Sequence, residues 1–242
     1  MTSSNLKQQI EDWLHSRTAS FQSDSRPFIT LAYAQSWDGS LTTHSGETLC
    51  ISGEESMQVT HQLRSLHDGI LIGVGTVLSD DPQLTVREWS GPNPQPIVLD
   101  SQLRTPANAK LCSHPDRQCW LLTADSKAQS PDDNIEVLTV QGENSGSQRA
   151  SLDASMRLLR ERGIKSLMVE GGAQVITAFL QARLVDALVL TIAPKLVGGY
   201  KAVGDLQPAG GKSVLDINPL YSGQAGRDLI VWGELQFDKP EA

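Results

Sequence analysis

Residues 164–182 read IKSLMVEGGAQVITAFLQA, which has the pattern of one strand–turn–helix unit. The apolar run that ends at Val169 is typical of a buried strand, and Glu170 stands at its carboxyl end. Gly171 and Gly172 allow a tight turn and a close backbone approach to a ligand. A helix is predicted to follow directly. A strand that leads through a short turn into a helix is the repeating unit of an α/β fold.

Strands and helices alternate in the same way from residue 27 onward. Ser52 with Glu55 predicts a capping box before the first helix, while Ser151 and Gly163 predict the two ends of a later one. The predicted elements are strand 27–36, helix 54–67, a strand and turn over 69–78, strands 96–101, 119–124 and 135–140, helix 151–162, the unit 164–182, a strand and loop over 187–199, and a last strand over 227–237. We expect an α/β fold of three layers, with helices on both faces of a mostly parallel central sheet.

The N-terminal residues predict a separate element. A helix is expected over 5–17, followed by a polar linker over 20–26. Three apolar residues share one face of this helix: Ile10, Trp13 and Leu14. We therefore divide the chain into an N-terminal helical extension with its linker, 1–26, and a single domain, 27–242. The extension is interpreted as a packing appendage or an oligomer contact.

Composition excludes several classes of function. A net charge of −8 argues against a nucleic-acid partner, which requires a basic face, but a few arginines can still bind a small anion. No run of about 18 apolar residues predicts a membrane span. The three cysteines and the absence of a signal-peptide pattern predict free thiols and a cytoplasmic location. Cys112, His114 and Cys119 lack an obvious fourth ligand, so we expect no metal.

Two turns are candidate ligand sites. The helix after Gly171 and Gly172 presents free N–H groups and a positive dipole end, which suit a pyrophosphate. The alternative is an ordinary strand-to-helix turn with Glu170 as a solvated acid. The second candidate is residues 73–76, Gly-Val-Gly-Thr, with Asp80 expected to bond backbone amides at the turn that Pro82 imposes. Here the alternative is a conventional turn that Asp80 caps.

Two arginines could form a phosphate clamp. Arg64 lies on a predicted helix and Arg87 on the extended piece after the Asp-Asp-Pro turn, and two converging guanidinium groups suit a phosphate. The alternative is that both are solvated. The chain lacks the GxGxxG fingerprint, the GxxxxGK[ST] loop, the Tyr-x-x-x-Lys pair and the GxSxG elbow.

In their order along the chain, five segments resemble the C-terminal reductase domain of the bifunctional riboflavin-biosynthesis deaminase/reductase, a dihydrofolate-reductase-like family. They are SWDGSLTTHSGET (36–48), LRSLHDGILIGVGTVLSDDPQLTVR (63–87), IVLDSQLR (97–104), SLMVEGGAQVITAFL (166–180) and LVDALVLTIAPKLVGG (184–199). Each motif alone is modest evidence, but the ordered set is highly specific. The zinc motif of the family's deaminase, HxE with PCxxC, is absent, so we expect a stand-alone reductase.

The resemblance implies an NADPH-dependent oxidoreductase with a dihydrofolate-reductase-like fold. It would reduce the ribosyl side chain of a (di)amino-ribosylamino-pyrimidine 5′-phosphate to the ribitylamino product, as 5-amino-6-(5-phosphoribosylamino)uracil reductases do. Its partners would be this small phosphorylated substrate and a second copy of the chain, in a homodimer, with neither nucleic acid nor membrane.

The resemblance also assigns residues. Positions matching the family's substrate site are Thr48, Arg64, Leu84, Arg87 and Glu170, of which Glu170 is also the candidate catalytic acid or base. The cofactor site is expected at Ala34, Cys50, Thr76, Asp80, Ser101, Gly171, Gly172, Ala173, Gln174, Val175, Ile176, Thr177 and Ala178. Arg104, close to Ser101, is a candidate for the 2′-phosphate of NADPH. Asp38 is expected to hold the loop in which it lies.

Some positions depart from the family's pattern. Ala32 replaces a lysine that many bacterial members carry, Cys50 replaces an aromatic residue, and Thr48 replaces a serine but keeps the hydroxyl. The missing lysine motivates an alternative, a reductase of the same fold that acts on another pterin-like or pyrimidine compound. A second alternative is a non-catalytic nucleotide-binding protein.

Overall fold

A nine-stranded sheet lies at the centre of the chain, whose computed structural model describes residues 3–114, 116–144, 149–206 and 214–237. The strands are β1 (Phe28–Ser36), β2 (Ser40–Thr42), β3 (Gly69–Gly73), β4 (Gln95–Leu99), β5 (Cys119–Thr123), β6 (Ile135–Thr139), β7 (Ser166–Val169), β8 (Ala187–Ala193), β9 (Tyr200–Lys201), β10 (Asp216–Ala225) and β11 (Asp228–Gln236). The sheet has the order β10-β11-β8-β1-β7-β3-β4-β5-β6, and β2 pairs separately with β9.

Most of the sheet is parallel. Strand β1 lies between β7 and β8 and runs parallel to both, and the parallel pairing continues from β7 through β3, β4 and β5 to β6. Strand β11 runs antiparallel to β8 on one side and to β10 on the other. The expectation of a mostly parallel central sheet is confirmed.

Helices cover both faces of this sheet. The helices are α1 (Ser3–Ser20), α2 (Glu54–Ser65), α3 (Val74–Asp80), α4 (Leu152–Glu161) and α5 (Ala173–Gln181), with a short 3-10 helix at Lys110–Ser113. Apolar residues of α1, α2 and α3, such as Ile10, Val59 and Val77, share one buried cluster with the sheet. Those of α4 and α5, such as Leu159 and Phe179, belong to a second cluster. The three-layer prediction is confirmed.

The ends of α4 agree with the sequence signals. The Ser151 side chain accepts a hydrogen bond from the Ala154 N–H at 3.3 Å, as an N-cap should. The chain leaves the helix through Gly163, whose φ of +91° lies in the left-handed region that favours glycine. Both ends of this helix were therefore encoded locally.

The capping box predicted at Ser52 is wrong. Helix α2 begins at Glu54 with Gly53 as its N-cap, and glycine has no side chain that could cap the helix. Instead, Asp228 of β11 accepts hydrogen bonds from the Gly53 N–H, at 2.8 Å, and from the Ser56 hydroxyl. A carboxylate from a distant part of the chain thus serves the start of α2.

Other differences concern short or exposed elements. The turn predicted after β3 is the seven-residue helix α3. Strands β2, β9 and β10 were not predicted, since β2 and β9 are very short and most of β10 is exposed or half-buried.

Helix α1 packs on the domain core rather than standing apart from it. Leu6, Ile10 and Leu14 are at most 2 % exposed and belong to the same cluster as α2 and α3. The segment after the helix is anchored too, because Arg26 forms two hydrogen bonds to Asp186, at 2.6 and 2.8 Å. The face predicted from Ile10, Trp13 and Leu14 is thus an intramolecular contact.

Candidate active site

Two helices begin side by side at the carboxyl ends of β3 and β7, which are parallel neighbours. Helix α3 follows Gly73, and α5 follows Gly172. The turns are so close that a β-carbon on Gly73 would lie 2.7 Å from Val175 Cγ2, and one on Gly171 would lie 2.6 Å from Val175 Cβ. Glycine at both positions therefore lets the two helix starts approach each other.

Helix α5 presents its backbone at this edge. The Ile176 N–H bonds to the Gly172 carbonyl at 3.1 Å, and no side-chain hydrogen bond caps the helix. The N–H groups of Ala173, Gln174 and Val175 therefore have no acceptor within the helix. Ala173 and Ile176 have buried side chains, so this part of the expected cofactor segment offers backbone donors rather than side chains.

Three further residues of the expected cofactor site lie close to these turns. A β-carbon on Gly172 would lie 3.5 Å from the Thr76 hydroxyl, so Thr76 of α3 faces the start of α5. One turn into α5, the Thr177 hydroxyl accepts a hydrogen bond from the Gly204 N–H at 2.8 Å. Ala178 beside it is half-buried. Thr177 is thus engaged in holding the loop after β9.

Arg64 and Glu170 form a two-point ion pair across the site. Arg64 donates from Nε to one carboxylate oxygen at 2.9 Å and from Nη2 to the other at 2.6 Å. The Arg64 side chain is only 7 % exposed and that of Glu170 is 26 % exposed. Arg64 is therefore not a solvated side chain, and Glu170, although partly exposed, is paired rather than free. A paired carboxylate of this kind is held in one orientation at the end of β7.

Thr85 joins the two arginines expected to form a clamp. Arg64 donates from Nη1 to the Thr85 carbonyl at 3.1 Å, and Arg87 donates from Nη1 to the Thr85 hydroxyl at 2.8 Å. Arg87 is exposed, so its remaining donors face solvent. Leu84 has a φ of +58° and a side chain that is 1 % exposed, so it can offer a ligand its backbone only.

Thr48 and Asp80 are brought together from two different segments. The Thr48 hydroxyl lies 2.6 Å from an Asp80 carboxylate oxygen and 3.0 Å from the Ser79 carbonyl. The backbone-amide role predicted for Asp80 belongs instead to Asp81, which accepts from the Lys110 N–H at 2.8 Å. The physical reason is that α3 continues through Asp80, so the turn begins one residue later than the sequence indicated.

Lys195 holds the loop that carries Thr48 and Cys50. Its ammonium group donates to the Ile51 carbonyl at 2.8 Å and to the Cys50 carbonyl at 3.5 Å. The Cys50 side chain is exposed. Lys195 follows the carboxyl end of β8, so this loop is tied to the same edge of the sheet as Glu170.

Asp38 organises the turn between β1 and β2, as expected. It accepts hydrogen bonds from the Val197 and Gly198 N–H groups at 2.9 and 3.0 Å, and from Lys201 at 2.8 Å. The Lys201 ammonium group, the Val197 amide and two serine hydroxyls hold the pKa of Asp38 well below its usual range. Its carboxylate is thus occupied by the protein's own donors.

The turn after β4 contains Ser101 and Arg104. Asp100 is buried and accepts from both the N–H and the hydroxyl of Thr105, at 2.7 and 2.8 Å, which closes the turn. Ser101 is half-buried, and Arg104 is exposed without a hydrogen-bond or ion-pair partner among the described residues. Ala34, in β1, is half-buried.

Cys112 and Cys119 lie together in the core. The Cys112 thiol donates to the Pro106 carbonyl at 3.7 Å and the Cys119 thiol to the Trp120 carbonyl at 4.0 Å. The influence of each thiol on the other lowers the pKa of Cys112 and raises that of Cys119. Within the described ranges, no group of three or more His, Cys, Asp or Glu residues could hold a metal ion. No described helix has both the length and the apolar character needed to cross a membrane.

The residues that form this site lie within a part of the chain that is similar to known proteins. A family model, the RibD C-terminal domain, matches residues 27–231. The chain belongs to this family. Helix α1 lies outside the matched residues and packs on the matched domain.

Two relatives of the RibD C-terminal domain family are named 2,5-diamino-6-ribosylamino-4(3H)-pyrimidinone 5′-phosphate reductase. The one from Debaryomyces hansenii is 33 % identical over 79 % of this chain and 84 % of its own length. The one from Methanothermobacter thermautotrophicus is 34 % identical over 85 % of this chain and 97 % of its own length. The match to riboflavin biosynthesis protein RibD of Aquifex aeolicus, at 35 % identity, covers 86 % of this chain but 57 % of that protein.

A solved structure has the same architecture. The riboflavin biosynthesis reductase Rib7 of Saccharomyces cerevisiae superposes with a TM-score of 0.74 and 25 % identity, over 90 % of this chain and 94 % of that one. The α/β fold with a large, mostly parallel sheet is thus shared with a reductase of this family.

Two residues near the site are absent from the sequence-predicted set. Lys195 lies in the matched IAPK motif directly after β8, and that position at a strand end was the available signal. His61 lies three residues before Arg64 on α2, and that spacing places both on one helix face.

Proposed function

We propose that the chain is an NADPH-dependent reductase of riboflavin biosynthesis. Its substrate would be 2,5-diamino-6-ribosylamino-pyrimidinone 5′-phosphate or the deaminated 5-amino-uracil form, and its product the ribitylamino compound. The observation that carries this proposal is the Arg64–Glu170 pair, which lies at the same sheet edge as the paired starts of α3 and α5. The names of the two relatives support the same reaction.

The helix starts fit a dinucleotide. Free N–H groups at Ala173, Gln174 and Val175, together with the positive end of the α5 dipole, would hold the pyrophosphate. A side chain at Gly73 or Gly171 would displace Val175 and disturb these donors. Exposed Arg104, without a partner among the described residues, would bind the 2′-phosphate that distinguishes NADPH from NADH.

The substrate would occupy the space between Glu170 and the segment 84–87. Arg64 is committed to Glu170 and Thr85, so exposed Arg87 would be the main cation for the substrate phosphate. Glu170, held by Arg64, would orient the ribose hydroxyls and exchange the proton that opening of the ribose ring requires. When bound, NADPH supplies the hydride that reduces C1′. Held in this way, the substrate would present C1′ in a fixed geometry.

The remaining parts of the proposal concern organisation. We also propose a homodimer, which the family resemblance supports, and a cytoplasmic location, which the sparse free cysteines support. The boundary between the extension 1–26 and the domain 27–242 is supported by the start of the family match at residue 27. Light scattering of the purified chain tests the dimer directly.

The test of the proposed function is NADPH absorbance decay with the amino and the deaminated form of the substrate. We expect NADPH to be oxidised with one of the two substrate forms. The form that reacts shows whether the reduction precedes or follows the deamination step. If neither form is reduced although NADPH binds, the reductase of another pyrimidine or pterin-like compound becomes the better account, and Ala32 the position to examine.

A further inference from the structure

His61 lies behind the expected substrate site rather than in it. It is on α2, one helical turn before Arg64, and is 1 % exposed. Its Nδ1 atom accepts a hydrogen bond from the Arg87 N–H at 3.0 Å. The buried imidazole of His61 therefore holds the backbone of Arg87, whose guanidinium group is exposed.

Helix α2 holds the segment 84–87 at two points, of which His61 is one. The other is Arg64, whose Nη1 donates to the Thr85 carbonyl at 3.1 Å. Beyond the segment, Gly91 lies against α2 so closely that a β-carbon there would be 2.6 Å from the Ser65 Cβ. Contacts on both sides of Arg87 thus keep this stretch against the helix.

The charges around His61 favour its neutral form. The charged groups that face it are Arg64 on its own helix and Arg87 on the segment, which disfavour a positive ring, and Glu170 at the end of β7, which favours one. Burial, followed by the two guanidinium groups, lowers the pKa of His61 to about 4. A neutral ring has a free lone pair on Nδ1, whereas a protonated ring cannot accept from Arg87.

We propose that His61 is a positioning residue for substrate binding, because its neutral Nδ1 fixes the Arg87 backbone and so aims the Arg87 guanidinium group at the substrate phosphate. This inference rests on the proposed function, since it takes the phosphorylated substrate as the ligand. Protonation of His61 removes the acceptor and adds a third positive charge beside Arg64 and Arg87. The segment then loses its second attachment to α2.

Two substitutions of His61 separate positioning from bulk. In His61→Asn the side-chain oxygen can take the place of Nδ1 without titrating, while His61→Leu fills the space without an acceptor. We expect His61→Leu to raise the KM for the phosphorylated substrate about tenfold, with kcat within about twofold of wild type. His61→Asn restores a KM within about threefold. Arg87→Ala removes the guanidinium group itself, so its rise in KM for the phosphorylated substrate is the upper limit for the rise in His61→Leu.

The pH profile gives a second readout. In the wild type the KM rises as the pH falls through about 4, because His61 becomes protonated there. The substrate phosphate titrates at a higher pH, about 6, and does so equally for every variant. The part of the rise that is missing in His61→Asn is therefore due to His61. Equal profiles for wild type and His61→Asn contradict the proposal.

Hydrogen exchange of the peptide that contains residues 84–88 keeps this inference separate from the proposed function. In the ligand-free protein, His61→Leu should speed exchange there and leave the β5 and β6 peptides unchanged. If the wild type does not oxidise NADPH but exchange rises in His61→Leu, the proposed function fails and the positioning of Arg87 stands. Unchanged exchange in a folded His61→Leu variant overturns the inference, whether or not the wild type is active.

Discussion

The Arg64 guanidinium group meets the Glu170 carboxylate at both oxygens, 2.9 and 2.6 Å away, although the two residues are 106 positions apart in the sequence. Arg64 is almost fully buried while Glu170 retains contact with solvent. This pair connects α2 to the end of β7 and leaves the carboxylate partly exposed.

Replacing Glu170 with Gln tests the role of this carboxylate. The amide keeps the shape but leaves the buried Arg64 cation without its counter-charge and cannot exchange a proton. We expect kcat/KM to fall about 100-fold and the free energy of unfolding to fall by about 1–2 kcal/mol. Steady-state kinetics and urea unfolding measure the two effects.

A matched control is Glu136→Gln in β6, an edge strand of the sheet. This substitution weakens the partly exposed ion pair between Glu136 and Arg162. There the expected loss is below about 0.5 kcal/mol, with unchanged kinetics. Equal effects of the two substitutions on kcat/KM would show that Glu170 has no special role.

Close packing of the two helix starts predicts a specific second-site rescue. In Gly73→Ala the added methyl group meets Val175 Cγ2 at 2.7 Å, and we expect a loss of about 1–3 kcal/mol of unfolding free energy. Adding Val175→Ala removes Cγ2 and should recover part of the loss. Gly75→Ala, with open space around the new methyl group, should cost nothing or stabilise α3 by up to about 1 kcal/mol. Urea unfolding of the three variants checks this prediction, and a double variant no better than Gly73→Ala contradicts it.

Selectivity between the two nicotinamide cofactors is predicted to depend on Arg104. Its exposed guanidinium group has no partner among the described residues, so Arg104→Ala should leave the fold intact. We expect the KM for NADPH to rise about tenfold and the KM for NADH to stay nearly unchanged. Preference for NADPH that is unaltered in this variant would rule out Arg104 as the 2′-phosphate ligand.

Asp38 makes stability depend on pH in a defined direction. Because its pKa is lower in the folded state than the usual 3.8, its contribution is fully present above that pH and is lost as the pH falls below it. Asp38→Asn should therefore lower the Tm at neutral pH, and the difference from wild type should shrink in acid. Thermal melts at a series of pH values measure this, and a constant difference across the series contradicts it.

Helix α1 is predicted to belong to the cooperative unit of the domain. Ile10 is fully buried, so Ile10→Ala should cost about 2–5 kcal/mol of unfolding free energy. His15→Ala, on the exposed face of the same helix, should cost less than about 0.5 kcal/mol. If Ile10→Ala leaves the main unfolding transition of the domain unchanged, α1 is an independent appendage.

The features predicted correctly from sequence have local signals. Ser151 and Gly163 bound α4 because capping depends on residues within one turn of each helix end. Alternation of apolar runs with helical segments likewise identified the α/β layers.

The features that sequence reasoning missed depend on distant parts of the chain. The N-cap interactions of α2 come from Asp228, 172 residues beyond Ser56, so the nearby Ser52 signal was misleading. The pairing of Arg64 with Glu170 and the bond between Arg87 and His61 arise only when α2 packs beside β7 and the segment 84–87. Strand β10 was missed because its mostly exposed residues lack a clear apolar alternation.

Isotope transfer from NADPH that carries deuterium at both C4 positions tests the proposed reduction directly. The purified chain would be incubated with this cofactor and the ribosylamino-pyrimidine phosphate, in amino and deaminated form, and the product analysed by mass spectrometry and NMR. We expect a ribitylamino product with one deuterium, at C1′. Cofactor binding with no deuterium in any pyrimidine product would contradict it.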